Sequence, residues 1–203
     1  MKKGAALLIV DVQNDFCQYG ALAVPGGDRV VEPLSRVAES FAAAGLPVLA
    51  SRDWHPPVTG HFRESGGMWP PHCIQESPGA AFHPALRLPE GTLVISKGSD
   101  PDSDSYSAFD GRSADGRPFR DLLDLLEIHH LYVGGLATDY CVRSSVLDAR
   151  KAGLEVTVLS DAIAGVDIAA GDSAKALDEM GYAGAAFCTT DESLHQITGS
   201  SEL

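Results

Sequence analysis

Short apolar runs alternate with longer amphipathic stretches along this chain. The runs 5–10 (AALLIV), 47–51 (PVLAS), 92–96 (TLVIS), 131–135 (LYVGG), 155–160 (EVTVLS) and 185–189 (AAFCT) are apolar with little regard to odd or even position. Strands of a parallel sheet covered on both faces have this pattern, because neither face meets water. Between them the spacing becomes helical. In 29–45, Val30, Leu34, Val37 and Phe41 share one face, Pro33 lies in the first turn where its missing N–H is tolerated, and Gly45 is a stop. Phe119, Leu122, Leu123 and Leu126 repeat the helical spacing in 119–128, as do Val142, Val146 and Ala149 in 139–153, and 172–181 precedes the last strand. The alternation predicts an α/β fold: a doubly wound α/β/α sandwich around a mostly parallel six-stranded sheet, with crossover helices between strands.

Two stretches break the rhythm. Residues 54–90 hold Pro56, Pro57, Pro70, Pro71, Pro78 and Pro84 and four of the seven histidines, with no sustained apolar period. A loop of that length inside a compact domain is usually functional. Residues 98–118 are rich in Asp, Ser and Gly and have the composition of a solvated surface loop. No linker, repeat or composition shift divides the chain, so residues 1–203 are expected to form one domain.

Charge and cysteine usage narrow the function. A formal charge of −13 disfavours nucleic acid and anionic membrane as partners, since phosphates would be repelled. A small molecule is the better partner, and assembly into a homo-oligomer stays open. The run after Met1-Lys2-Lys3 ends at Asp11, too short for a signal peptide, and no run reaches the ~18 apolar residues of a membrane span. Cys17, Cys73, Cys141 and Cys188 show no paired spacing, which favours a reduced, cytoplasmic setting.

Ligands of open α/β sheets bind beyond the carboxyl ends of the strands. There the first strand leads to Asp11, the second to Asp53, the third to Lys97 and the fourth to Cys141. Cys141 can be a small buried hydrophobe. Alternatively, it stands about two residues into a helix capped by Thr138 or Asp139, where free N–H groups and Lys97 would favour a thiolate. Asp11 can then take the thiol proton and return it to a leaving amine. Asp53, His55, His61 and His72 follow the spacing D-x-H-x5-H-x10-H and can grip one metal ion, or be unrelated loop residues. Phe16, Trp69 and Tyr106 stand beside these positions and suit either a wall for a flat substrate or ordinary packing.

The segments 11–28 (DVQNDFCQYGALAVPGGD), 52–56 (RDWHP), 61–62 (HF), 69–73 (WPPHC), 95–98 (ISKG), 106–111 (YSAFDG) and 134–149 (GGLATDYCVRSSVLDA) carry a resemblance over nearly the full length. They resemble the isochorismatase-like superfamily of cysteine hydrolases, and within it the nicotinamidases. The resemblance implies a catalytic triad of Asp11, Lys97 and Cys141, and one divalent metal ion (zinc, iron or manganese) on Asp53, His55, His61 and His72. It also implies substrate contacts from Phe16, Trp69 and Tyr106, and a cis Leu136–Ala137 peptide that turns the Ala137 and Cys141 amides into an oxyanion hole. The activity implied is hydrolysis of nicotinamide, and of pyrazinamide, through a thioester. Another carboxamide or ureido hydrolase of the superfamily, and a silent metal- or ligand-binding module, are the alternatives.

Overall fold

The computed structural model of the protein describes residues 4–198. Its elements follow the alternation in the sequence: β1 (Ala5–Val10), α1 (Val31–Ala43), β2 (Val48–Asp53), β3 (Leu93–Lys97), β4 (Arg112–Ser113), α2 (Phe119–Leu125), β5 (His130–Leu136), α3 (Arg143–Lys151), β6 (Glu155–Ala164), α4 (Asp172–Tyr182), β7 (Ala186–Cys188) and α5 (Thr190–Thr198). The strands form one sheet in the order β4-β3-β2-β1-β5-β6-β7. All neighbours are parallel except β3 and β4.

Six strands were expected and seven are present. The addition, β4, is a two-residue antiparallel edge made of Arg112 and Ser113. Polar residues paired on one side only leave no apolar signature. The helix α5 was also not anticipated, because its sequence TDESLHQIT shows only a weak apolar stripe.

β1 shows how the layers form. Its side chains alternate between faces, so Leu7 and Ile9 join Leu34, Val37 and Phe41 of α1, while Leu8 and Val10 join Phe119 and Leu123 of α2 and Val146 of α3. Each of these side chains is fully buried, contributing about 1.5–3 kcal/mol apiece. The four apolar residues read as the inner face of the first helix, Val30, Leu34, Val37 and Phe41, are all inaccessible to solvent.

The strand order places the chain reversal between β1 and β5, whose neighbours lead away in opposite directions. Ligand sites of this architecture form at that crevice. Gly135 lets β5 run close beside β1: it has φ +128°, and a Cβ there would meet Val10 O at 2.0 Å. The 54–90 stretch crosses the same edge as short turns and isolated bridges, pairing His55 with Ile74 and Phe62 with Trp69.

Candidate active site

Strand ends deliver the four residues singled out above to one buried point. Asp53 and Lys97 are the last residues of β2 and β3 and sit in register. Lys97 Nζ bonds Asp53 Oδ1, faces Asp11 Oδ2 at 2.9 Å, donates to the Ser105 carbonyl at 3.2 Å and lies 3.5 Å from Cys141 Sγ. Asp11 leaves β1 with a positive φ of 48°, uncommon for a residue with a Cβ, and its Oδ1 accepts the Ser51 hydroxyl at 2.7 Å. The Gln13 side chain clasps Asp53 by both its N–H (2.8 Å to Gln13 Oε1) and its C=O (2.8 Å from Gln13 Nε2).

Burial and charge pull against each other here. Burial alone would lower Lys97, but Asp11 and Asp53 overcome it and hold the ammonium well above its ordinary value. Asp11 is raised, by burial first and by Asp53, with Lys97 opposing. The Cys141 thiol is pushed well up by burial; Lys97 pulls it down, and Asp11 and Asp53 push it up again. Burial and the two carboxylates thus oppose the thiolate that Lys97 favours, and Asp11, whose carboxylate lies within 4.8 Å of Sγ, stands where it can take the thiol proton.

The local backbone also differs from the expected cap. Thr138–Val142 form a single wide turn before α3, closed by Val142 N–H on Ala137 O at 3.1 Å, and Ala137 holds the cap position with no side-chain cap bond. Thr138 and Asp139 do not cap it. The Asp139 carboxylate reaches instead to the Val166 and Asp167 N–H groups, at 2.9 and 2.8 Å, and ties the turn to the loop after β6. The Leu136–Ala137 peptide is cis, as the resemblance implied.

The metal-ligand set comes together beside the triad. The ring nitrogens that His55, His61 and His72 can offer lie within 4.8 Å of one another. Asp53 Oδ2 is 3.7 Å from His55 Nε2 and 3.9 Å from His72 Nε2. Each ring is held from behind: His55 Nδ1 by Gly98 O at 3.0 Å, His61 Nδ1 by Asp104 Oδ1 at 2.6 Å, and His72 Nδ1 by Pro70 O at 2.8 Å. A nitrogen facing an acceptor oxygen carries the proton, so each Nε2 is left with its lone pair. Burial lowers His72 to about 4, which keeps its ring neutral. His55 Nε2 is buried with no hydrogen-bond partner. The set fits a divalent ion.

Asp104 and Gly98 were not singled out by the sequence. Gly98 has φ +69°, and a Cβ there would meet His55 Cε1 at 2.5 Å, so glycine is required for the carbonyl to reach the ring. Replacing Asp104 with alanine is expected to weaken metal affinity about 10- to 100-fold, measured by chelator competition, with the melting temperature of the metal-free protein unchanged.

A second cluster, Cys17, Asp28 and His83, is close enough to be considered for a metal. It fits poorly. His83 Nδ1 accepts the Ala85 N–H at 3.2 Å, which places the proton on Nε2, the atom facing Asp28 Oδ1 at 3.5 Å. Burial and Asp28 push the Cys17 thiol up to about 11.

Phe16, Trp69 and Tyr106 all line the pocket over Cys141 and the histidines, about 420 Å³ including its mouth. Trp69 Nε1 donates to Tyr106 Oη at 2.9 Å, and Tyr140 packs edge-on against Trp69 with ring centres 5.0 Å apart. Leu22, Val24, Tyr140 and Val166 complete the wall. None of these four was anticipated, because Leu22 and Val24 in one loop, Tyr140 in the turn before α3 and Val166 after β6 form no common pattern in the sequence.

Comparison with known proteins agrees with this arrangement. The chain is 44% identical over 200 residues to the nicotinamidase of Escherichia coli strain K12, covering 91% of this chain and 94% of that one. Among solved structures it is similar to the pyrazinamidase of Pyrococcus horikoshii in complex with zinc, with a TM-score of 0.85, 40% identity, and 92% and 99% of the two chains covered. PnC1 from L. infantum in complex with nicotinate gives a TM-score of 0.84 at 32% identity, over 94% and 95%. The family model described as the isochorismatase domain matches residues 5–192, and the chain belongs to that family.

Proposed function

We propose that this protein hydrolyses nicotinamide to nicotinate and ammonia, with Asp11, Lys97 and Cys141 as catalytic residues. The observation that supports the reading is an aromatic-walled pocket lined by Cys141 together with Asp53, His61 and His72, with Lys97 and Asp11 against Cys141 and His55 beside the other histidines. The similarity to proteins named nicotinamidase and pyrazinamidase supports it. Pyrazinamide keeps the ring nitrogen and amide in the same relation, and is proposed as a second substrate.

A divalent ion on Asp53, His55, His61 and His72 would supply a Lewis-acidic position for the pyridine nitrogen, and the N/O donor set suits zinc, iron or manganese. The chain's own residues do the rest. Phe16, Trp69 and Tyr106 hold the flat ring so that the carboxamide lies over Cys141. Asp11 takes the thiol proton as Sγ attacks, and Lys97 stabilises the charge that develops on sulfur and carboxylate. The Ala137 and Cys141 amides receive the oxyanion. Asp11 gives its proton to the departing nitrogen, ammonia leaves, and a thioester remains. Water then gives up a proton to Asp11 and attacks, releasing nicotinate and restoring the thiol.

Ammonia release from nicotinamide by the metal-loaded protein tests the reading. Turnover of nicotinamide no faster than that of an aliphatic amide would remove it.

A further inference from the structure

Among the described residues three buried side-chain atoms lack a well-aligned hydrogen bond, and all three belong to this site: Asp11 Oδ2, His55 Nε2 and Ser105 Oγ. The first faces Lys97 as an ion pair and the second faces the metal-ligand set. Ser105 is left without a task. A hydroxyl buried without a partner is unfavourable, and such groups are rare unless a ligand or water meets them.

Ser105 stands between two cavities of opposite character. On one side it lines the aromatic pocket beside Asp53 and Cys141. On the other it lines a polar cavity bounded by Lys97, Ser99, Asp100, Asp110 and Arg112. Its carbonyl accepts from Lys97 Nζ at 3.2 Å, which fixes the residue next to the triad.

We propose that the Ser105 hydroxyl is a further catalytic residue, holding the leaving ammonia and then the attacking water, and that the polar cavity beyond it is the route by which the two exchange. This rests on the amidase reading above. In the acyl-enzyme the pyridine ring still fills the aromatic mouth, so ammonia must leave and water must enter another way. A polar passage keeps both hydrogen-bonded throughout. Hydrolysis retraces amide cleavage at the same carbon: in the first half C–S forms and C–N breaks, in the second C–O forms and C–S breaks. One hydroxyl can accept from the amine N–H in the first half and from the water in the second.

Hydroxylamine added to the assay competes with water for the thioester, giving nicotinohydroxamate instead of nicotinate. The ratio of the two products does not depend on how much protein is folded. In Ser105→Ala, kcat is expected to fall about tenfold and the hydroxamate-to-nicotinate ratio to rise several-fold, because water has lost its anchor. Inhibition by nicotinate should be unchanged, and Ser105→Thr should restore both values. Ser99→Trp, which narrows the polar cavity at a position outside the triad and the metal ligands, is expected to lower kcat and to lower the ratio, since hydroxylamine is larger than water. An unchanged product ratio in either Ser105→Ala or Ser99→Trp would overturn the proposal. Absence of nicotinamide hydrolysis by the unaltered protein would instead remove the amidase reading, and this inference with it.

Discussion

Replacing Cys141 with alanine is expected to lower nicotinamide turnover by about 10⁴-fold or more, while fold and metal content stay as they are. The magnitude follows from the chemistry: without sulfur there is no thioester, and no second cysteine among the described residues lines the pocket to take its place. Cys17 and Cys73 are buried elsewhere, and both thiols are raised by burial first. Structural damage should be small. Removing Sγ deletes one atom from a side chain that Lys97 contacts at 3.5 Å, while Lys97 keeps its ion pairs with Asp11 and Asp53. The metal-ligand set has no bond to Cys141. Ammonia release, circular dichroism and elemental content of the purified variant check the three parts separately. Turnover within tenfold of the unaltered protein would exclude a covalent path through Cys141.

The legible part of this molecule is the part set by local rules. Apolar runs without alternation marked the six parallel strands, and helical spacing marked the inner face of α1. Asp11, Asp53 and Lys97 stood out because a charged residue just beyond or at the end of an apolar run must emerge at a sheet edge. The roles given to the histidines and to Phe16, Trp69 and Tyr106 needed the family resemblance as well, since spacing in a loop does not say where its residues meet. What stayed hidden depends on contacts across long sequence separations. Asp104 stands behind His61, Gln13 clasps Asp53, and Ser51 supports Asp11, each from a segment more than 35 residues away in the chain. The burial that opposes the thiolate at Cys141 was hidden for the same reason. Lys97, Asp11 and Asp53 could be placed near the cysteine from the sequence, whereas the depth to which Sγ is buried among them could not.

In the metal-loaded protein, nicotinamide is expected to be hydrolysed about 100-fold or more faster, as kcat/KM, than benzamide. Benzamide has the same ring size and the same amide but no ring nitrogen. Both fit the aromatic wall of Phe16, Trp69 and Tyr106, so area buried cannot separate them. The difference must come from the side of the pocket formed by Asp53, His61 and His72, where a ring nitrogen can be bound and a C–H cannot. Losing that contact removes orientation, which lowers kcat/KM, and also the electron withdrawal that makes the amide carbon reactive, which lowers kcat. Chelation adds a control. It should bring nicotinamide hydrolysis down towards the benzamide rate and leave the slow benzamide reaction less affected, because the Lys97–Asp11 ion pair and the Lys97–Cys141 contact hold the catalytic cluster together without the ion. His55→Ala should act in the same direction, since it removes a Nε2 that has no other partner. Equal rates on the two amides in the loaded protein would mean that the ion only supports the fold, and the catalytic machinery would then serve carboxamides at large.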